Sequence, residues 1–530
     1  MKTLINIVII FLLIYIVYLV LEKRIKKREK NIILQIGSSL DDKGGIATVM
    51  NEIISSRLGK KYNIKQISTY VKGHPYKLFM KAILKILVFN YIYNIEIAHI
   101  HMASKGSFYR KSLIISLCRL LHIKTILHAH GSEFEKFYDS SKHKKYIKKT
   151  LNKVDKLIVL SNSWKEFYSK LVDEDKIQVV YNGVKIYDKV EKKHNEVKQG
   201  LFLGRMGKRK GIYDLIEAVE LLRNENNYNF KIVLAGDGEI GNVKKIIKTN
   251  GLQKYFEIVG WIDGKRKDEI LNNSDFLVLP SYNEGLPMSI LEAMSRKVLV
   301  ISTNAGGIPE IINNGNNGIL IEAGNIYELK SAIKNAIIPN DNIENIKNKA
   351  LETIKEKFNI EDMINEIEKI YISLIYKNIK VCLTSSSGGH FMQLKQLFDI
   401  TKKYNTFIVT EKNVISLQLK SKYKVKYLVQ QERKNIDFIF EFFINILKSI
   451  WIVITQKPDV VISTGAGATY PICKLVKMTG GKVIFIESFA KIKSPTVTGK
   501  KVYKFADEFY VQWPEMLKYY PKAKFRGGIY

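Results

Sequence analysis

Cysteine is scarce in this 530-residue chain: Cys118, Cys382 and Cys473 are three in number and far apart. That excludes a disulfide framework and a clustered zinc site, and it suits a reducing compartment. Acidic residues are also in short supply, 51 Asp and Glu against 85 Lys and Arg, for a net charge of +34. Such an excess fits nucleic acid, an anionic membrane surface or phosphorylated substrates. Zinc-finger spacing, RRM motifs and heptads are all missing, and the basic residues are spread along the whole chain, so nucleic acid is not expected as a partner. No metal-binding Asp-x-Asp ends a strand, and neither a metal nor a cofactor is expected. The 46% hydrophobic content excludes a mostly disordered protein. At this length three units of ordinary size are expected.

Thr3 to Leu21 is an apolar run broken only by Thr3 and Asn6, about 28 Å long as a helix and enough to span a bilayer. Lys23, Arg24, Lys26, Lys27, Arg28 and Lys30 follow it and Lys2 alone precedes it. A signal peptide carries its charge in front, so residues 1–22 are expected to be an uncleaved anchor, with a basic segment at 23–30. The positive-inside rule puts everything after Lys23 in the cytoplasm, at the cell membrane, single-pass. Beyond the anchor, short apolar strands alternate with helix-period segments, the pattern of a parallel α/β protein. One unit is expected at 31–190, a second at 198–376 ending in long helices, and a third at 378–530, with a linker from Asp188 to Gln199.

Several turns in the first two units offer chemistry. In Ser281-Tyr-Asn-Glu-Gly-Leu-Pro-Met-Ser-Ile-Leu-Glu-Ala-Met294, Glu284 is expected at a strand end. Gly285 and Pro287 open the next helix, with Glu292 about two turns into it. Gly44-Gly45 precedes a helix expected from Ile46 to Leu58 and leaves room for a phosphate at its N-terminus. Arg205 and Lys210 flank a strand-to-helix turn, where fixed cations stabilise a departing diphosphate; a solvated basic turn is the plainer reading. His130 ends a strand before Gly131, facing a cleft, and His128 is expected to be structural.

Asn-Glu-Gly-Leu-Pro followed by Leu-Glu-Ala-Met resembles the donor-site signature of the retaining family 4 glycosyltransferases. The resemblance implies a GT-B fold of two Rossmann-like domains and a nucleotide-diphosphate sugar as donor. It implies that Glu284 and His130 contact the sugar, that Arg205 and Lys210 stabilise the leaving group and that Glu292 holds the ribose. Gly44, Gly45, Gly285 and Leu286 complete the expected donor site. Glu133 stands where the family often has Asp. Ala305-Gly-Gly-Ile-Pro-Glu310 matches the end of the donor domain, and Gly236-Asp-Gly238 resembles a loop the family uses without a metal.

In the third unit, Thr384-Ser-Ser-Ser-Gly-Gly-His390 is a second strand-to-helix Gly loop. With Ser463-Thr-Gly-Ala-Gly467, Glu487-Ser-Phe-Ala-Lys491, Ser494-Pro-Thr-Val-Thr-Gly499 and Tyr510-Val-Gln-Trp513, it resembles the membrane-anchor subunit of the two-part N-acetylglucosaminyltransferase of lipid-linked oligosaccharide synthesis, with similar proteins in capsule loci. That implies a third Rossmann-like unit, the acceptor-side half of a GT-B enzyme, whose donor-binding half is a separate chain docking on 378–530. Gly388, Gly389, His390, Gly465, Gly467 and Glu487 are its candidate residues. His390 reads equally as a general base or as a ligand of a lipid diphosphate. Ile436 to Ile454 is a broad apolar face with a polar stripe at Asp437, Glu441, Asn445 and Lys448, open to two readings, an interfacial helix or one packed on the sheet. Lys77, Lys81 and Lys85 make a comparable basic stripe. The expected whole is a membrane-anchored retaining, metal-independent transferase acting on a lipid-linked glycan or polysaccharide. Its rivals are a non-catalytic assembly scaffold and a GT-B sugar phosphorylase.

Overall fold

The computed structural model describes residues 31–40, 42, 44–70, 75–187, 197–225, 228–338, 341–431 and 438–529. The expected anchor at 1–22, the basic segment 23–30 and the linker up to residue 196 lie outside them. The described chain falls into two compact units, one of residues 32–88 and 97–370 and one formed mainly by residues 371–529.

The larger unit holds two parallel sheets. The first comprises β1 (Asn31–Gly37), β2 (Ile64–Ser68), β3 (Asn94–Met102), β4 (Lys124–Ala129), β5 (Lys156–Val159) and β6 (Ile177–Val179), in the order β2-β1-β3-β4-β5-β6. The second comprises β7 (Lys198–Leu203), β8 (Phe230–Ala235), β9 (Phe256–Gly260), β10 (Phe276–Leu279), β11 (Leu299–Thr303) and β12 (Ile319–Ile321), in the order β12-β11-β10-β7-β8-β9. Central strands such as β10, Phe-Leu-Val-Leu, are buried along their whole length, because helices cover both faces of a parallel sheet. Lys198 and Gln199, expected in the linker, belong to β7. Strand order reverses at β1/β3 and at β7/β10, and such switch points leave a crevice at the strands' C-terminal ends.

The chain returns from the second sheet to the first. Val184 N–H donates to Phe358 O at 2.9 Å and Ile360 N–H to Val184 O at 3.1 Å. Helix Ile360–Asn378 then carries Glu368 to Arg57, to Lys61 at 2.6 Å and to Tyr62 at 3.2 Å. This is the closing helix expected of a GT-B enzyme.

The other unit is a single parallel sheet of β13 (Lys380–Ser385), β14 (Asn405–Glu411), β15 (Val425–Leu428), β16 (Val460–Ser463), β17 (Lys482–Ile486), β18 (Glu508–Val511) and β19 (Lys524–Phe525). Its order is β15-β14-β13-β16-β17-β18-β19. Alternate residues feed two cores: Cys382, Val409, Val461 and Phe485 on one face, Val381, Leu383, Ile408 and Ile462 on the other. The order reverses at β13/β16, which sets the loop after each strand beside the other.

Candidate active site

A cleft of about 440 Å³ opens between the two sheets of the larger unit, at the C-terminal ends of β1, β4, β7 and β10. It brings together Gly44, Gly45, His130, Arg205, Lys210, Glu284, Gly285, Leu286 and Glu292, the whole set singled out for the first two units. Gly44 precedes the helix Gly45–Ser55, which starts one residue earlier than expected and ends at Ser55, a second helix following at Arg57–Lys61. Pro287 is the last extended residue before helix Met288–Met294. Glu292 is therefore the fifth residue of a seven-residue helix, little more than one turn in, not two.

Glu284 is 5% exposed, and a buried carboxylate persists only when it is paired. Lys210 makes the ion pair with its Oε1, Ser281 Oγ donates to the same oxygen at 2.7 Å, and Arg209 lies 3.9 Å from Oε2. Arg209 also donates to Asn283 O at 2.9 Å, which ties the turn after β7 to the loop after β10. That loop is fixed by close backbone packing: a Cβ on Gly306, at φ +59°, would lie 1.9 Å from Glu284 O. Only glycine holds this place. Glu292 pairs with Lys267 at 2.6 Å. Arg205 is exposed on the cleft wall and makes no ion pair among the described residues.

On the opposite wall His130 belongs to a chain of imidazoles. His130 Nε2 lies 2.9 Å from His101 Nδ1, His101 Nε2 meets Gln35 Oε1, Gln35 Nε2 is 3.2 Å from His99 Nδ1, and His99 Nε2 is 3.2 Å from His128 Nδ1. An amide oxygen only accepts, so His101 Nε2 carries the hydrogen and its Nδ1 accepts from His130 Nε2–H. His130 is thus left with Nδ1 as an acceptor for a hydroxyl. Burial holds His99 and His130 down to about 3. Burial, and then the neighbouring imidazoles, hold His101 and His128 well below the usual histidine range. All four are neutral at physiological pH. Ring nitrogens of His99, His101 and His128 lie within 4.8 Å of one another, so they could hold a transition metal, but only by surrendering these hydrogen bonds.

Sequence reasoning passed over Gln35, His99 and His101. The spacing His99-x-His101 beside His128-x-His130 was the available signal, since period two puts both pairs on one sheet face. Lys267 and Arg209 were also missed, the first because helix Gly264–Asn273 looks like a solvated surface helix. Glu133 is not part of the cleft wall and pairs with Lys105 at 3.4 Å. Glu310 bridges the halves: its carboxylate accepts from Asn162 N and Ser163 N, each at 2.9 Å, and from Tyr181 OH at 3.0 Å. Asn182 Nδ2 adds a bond to Leu286 O at 3.0 Å.

In the smaller unit, the loops carrying Gly388, Gly389 and His390 and carrying Gly465 and Gly467 do meet. His390 Nδ1–H donates to Thr464 O at 2.7 Å, and Thr464 Oγ1 returns a bond to His390 O at 2.8 Å. His390 Nε2 is left as the basic nitrogen. Ser387 donates through N and Oγ to Glu411 at 2.8 and 2.6 Å. Glu487 has a different task. It is 1% exposed and accepts from Ser488 N at 2.8 Å, Thr496 Oγ1 at 2.9 Å and Tyr520 OH at 2.7 Å, which clamps the 487–499 loop. Burial, reinforced by Glu487, pushes the Tyr520 hydroxyl well above the usual phenol range.

Comparison with known proteins matches the two sheets of the larger unit to the models "Glycosyltransferase Family 4", over residues 60–186, and "Glycosyl transferases group 1", over residues 184–353. An Escherichia coli UDP-Gal:alpha-D-GlcNAc-diphosphoundecaprenol alpha-1,3-galactosyltransferase is 30% identical over 308 residues, which is 53% of this chain and 76% of that enzyme. The chain belongs to the group 1 and family 4 glycosyltransferases. A 41.2 kDa protein of the Klebsiella pneumoniae cps region is 29% identical to this transferase, over 62% of this chain and 97% of its own length. Residues 381–529 match "Oligosaccharide biosynthesis protein Alg14 like", so the transferase also carries an Alg14-like domain. The sucrose-phosphate synthase of Thermosynechococcus elongatus superposes with a TM-score of 0.56 at 15% identity, over 64% of this chain and 98% of that one, which shows the GT-B fold.

Proposed function

We propose that the cleft transfers a sugar, with retention and without a metal, from a nucleotide-diphosphate sugar to a lipid-linked glycan at the cytoplasmic face of the cell membrane. The observation that carries this reading is the convergence of the cations Arg205, Arg209 and Lys210 with the Glu284 carboxylate and the His130 ring on one cleft. Arg205 and Lys210 stabilise the charge that develops on the leaving diphosphate, as preorganised cations aimed at that position do. Glu284 Oε1 already takes Lys210 and Ser281, which supports positioning of the sugar rather than nucleophilic attack. His130 accepts a sugar hydroxyl through Nδ1, and Glu292, one turn into its helix, takes the ribose. The acceptor hydroxyl then attacks on the face from which the diphosphate leaves. A relative named for UDP-Gal and a diphosphoundecaprenol acceptor supports the choice of substrates.

The Alg14-like domain is proposed to be the acceptor-side half of a second transferase, docking a separate donor-binding chain. The second reading of the Alg14-like domain, an enzyme complete in itself, is disfavoured because, among the described residues, no ion pair of the Lys210–Glu284 kind lies beside His390. The test is donor screening of the detergent-solubilised full chain by nucleotide release, with and without a polyprenyl-diphosphate sugar. Release from at least one donor supports the reading. No release from any donor in the presence of acceptor counts against it.

A further inference from the structure

Helix Phe438–Gln456 is amphipathic in the inverse sense. Its inward face is partly polar: Asn445 and Ser449 are fully buried beside Ile452 and Val453, and Glu441 is half-buried. Asn445 fixes this orientation, accepting from Val429 N at 2.8 Å and donating to Val429 O at 2.9 Å, just beyond the edge strand β15. The outward face carries Ile439, Phe440, Phe443, Leu447, Ile450, Trp451 and Ile454, from 37% to 78% exposed. At 100° per residue these seven fill an arc of about 120° with no polar side chain inside it, along about 22 Å of helix. A soluble surface seldom leaves such a patch uncovered.

Charge around the face selects what covers it. Glu441 is the sole carboxylate on the helix and faces inward. At the rim Lys426 Nζ sits 5.1 Å over the Trp451 ring, and Lys448 flanks the arc on the same side. Tryptophan at the edge of an apolar stripe, with lysine amines beside it, is the pattern of side chains at the boundary between acyl chains and phosphate headgroups. Within it Ile439–Gln456 is 18 residues of mean hydropathy 1.5, long enough to cross a bilayer. Crossing would require releasing Asn445 and Ser449 into hydrocarbon, which is costly.

We propose that this face lies flat in the headgroup region of an anionic bilayer, a second membrane contact in addition to the expected N-terminal anchor. It rests on the proposed membrane attachment and adds an element that the attachment alone does not require. A protein partner or a second copy of the chain would cover the same residues and is distinguished by the test.

The three native cysteines are buried, so a single added cysteine takes a fluorescent label selectively. The full chain carrying Phe443→Cys, Leu447→Cys or the control Lys522→Cys, at the opposite sheet edge, is labelled with NBD. It is then reconstituted in phosphatidylcholine–phosphatidylglycerol vesicles, with or without spin-labelled lipid. Expected are co-flotation with the vesicles, blue-shifted emission at 443 and 447, and quenching by spin-labelled lipid several-fold stronger there than at 522. Co-flotation with water-like emission at 443 and 447 overturns the inference and leaves membrane attachment standing. Shielded emission that spin-labelled lipid does not quench also overturns it, in favour of a protein cover. Absence of flotation removes membrane attachment and the inference with it.

Discussion

Acidification should weaken the larger unit through its buried imidazoles. His99, His101 and His128 are fully buried and held neutral, with pKa values well below the 6.5 of an exposed histidine. In the unfolded chain they titrate near 6.5, so as pH falls the unfolded state binds protons that the native state refuses. Depressed bases contribute full stability above the unfolded value and lose it progressively below. Between pH 7 and pH 5.5 each loses about 1.2 kcal/mol, so the three together lose about 4 kcal/mol. His130 is left out because one edge reaches the cleft. Lys111, lowered to about 7 by burial and then by Arg110, pays most of its penalty above pH 7 and adds only about 0.4 kcal/mol across this window. A unit of this size should lose on the order of 6 °C in Tm. Thermal melts across the window would measure it, with His101→Gln flattening the slope by roughly a third. A Tm independent of pH, or an unchanged slope in His101→Gln, would refute the neutral-cluster account.

Arg205→Ala and Lys210→Ala should each lower kcat on the order of a hundredfold or more with the melt preserved, and EDTA should leave the wild-type rate nearly unchanged. Glu487→Ala should cost about 2–4 kcal/mol in the Alg14-like domain, because four donors lose their acceptor, and calorimetry would show it. A thiol reagent that cannot cross membranes should miss Ser38→Cys in intact cells and reach it after lysis; labelling in intact cells would reverse the expected topology. The full chain should pull down a small donor-binding protein through the Alg14-like domain.

The Glu284 loop was legible because its chemistry and its geometry coincide in sequence. Glu284, Gly285 and Pro287 sit between a buried apolar strand and an Ala/Leu/Met helix, so strand end, turn and helix start were fixed by local rules. Central strands such as β10 and β16 were legible for the same reason. Two edge strands were not: β2, Ile-Lys-Gln-Ile-Ser, and β15, Val-Lys-Tyr-Leu, are short, partly exposed and interrupted by polar residues on both faces. What escaped at the site depends on pairing across elements. Lys267 meets Glu292 only when two helices are set side by side, and the Gln35–His101–His130 chain needs β1, β3 and β4 in register. The stripe of Glu441, Asn445 and Lys448 was visible in sequence, but its direction was not. The Asn445 clamp on Val429 turns Asn445 and Glu441 inward and leaves Lys448 at the rim of the outward face.

The central claim is that the cleft at Glu284 and Lys210 turns over a nucleotide sugar. Its most direct test is nucleotide release by the full chain from a panel of sugar nucleotides with a polyprenyl-diphosphate-linked sugar, comparing wild type with Glu284→Gln. The prediction is acceptor-dependent release with at least one donor, an α-linked product from an α-linked donor by NMR, and a loss on the order of a hundredfold or more in Glu284→Gln at unchanged Tm. Equal rates in wild type and Glu284→Gln, or an inverted product, would contradict it.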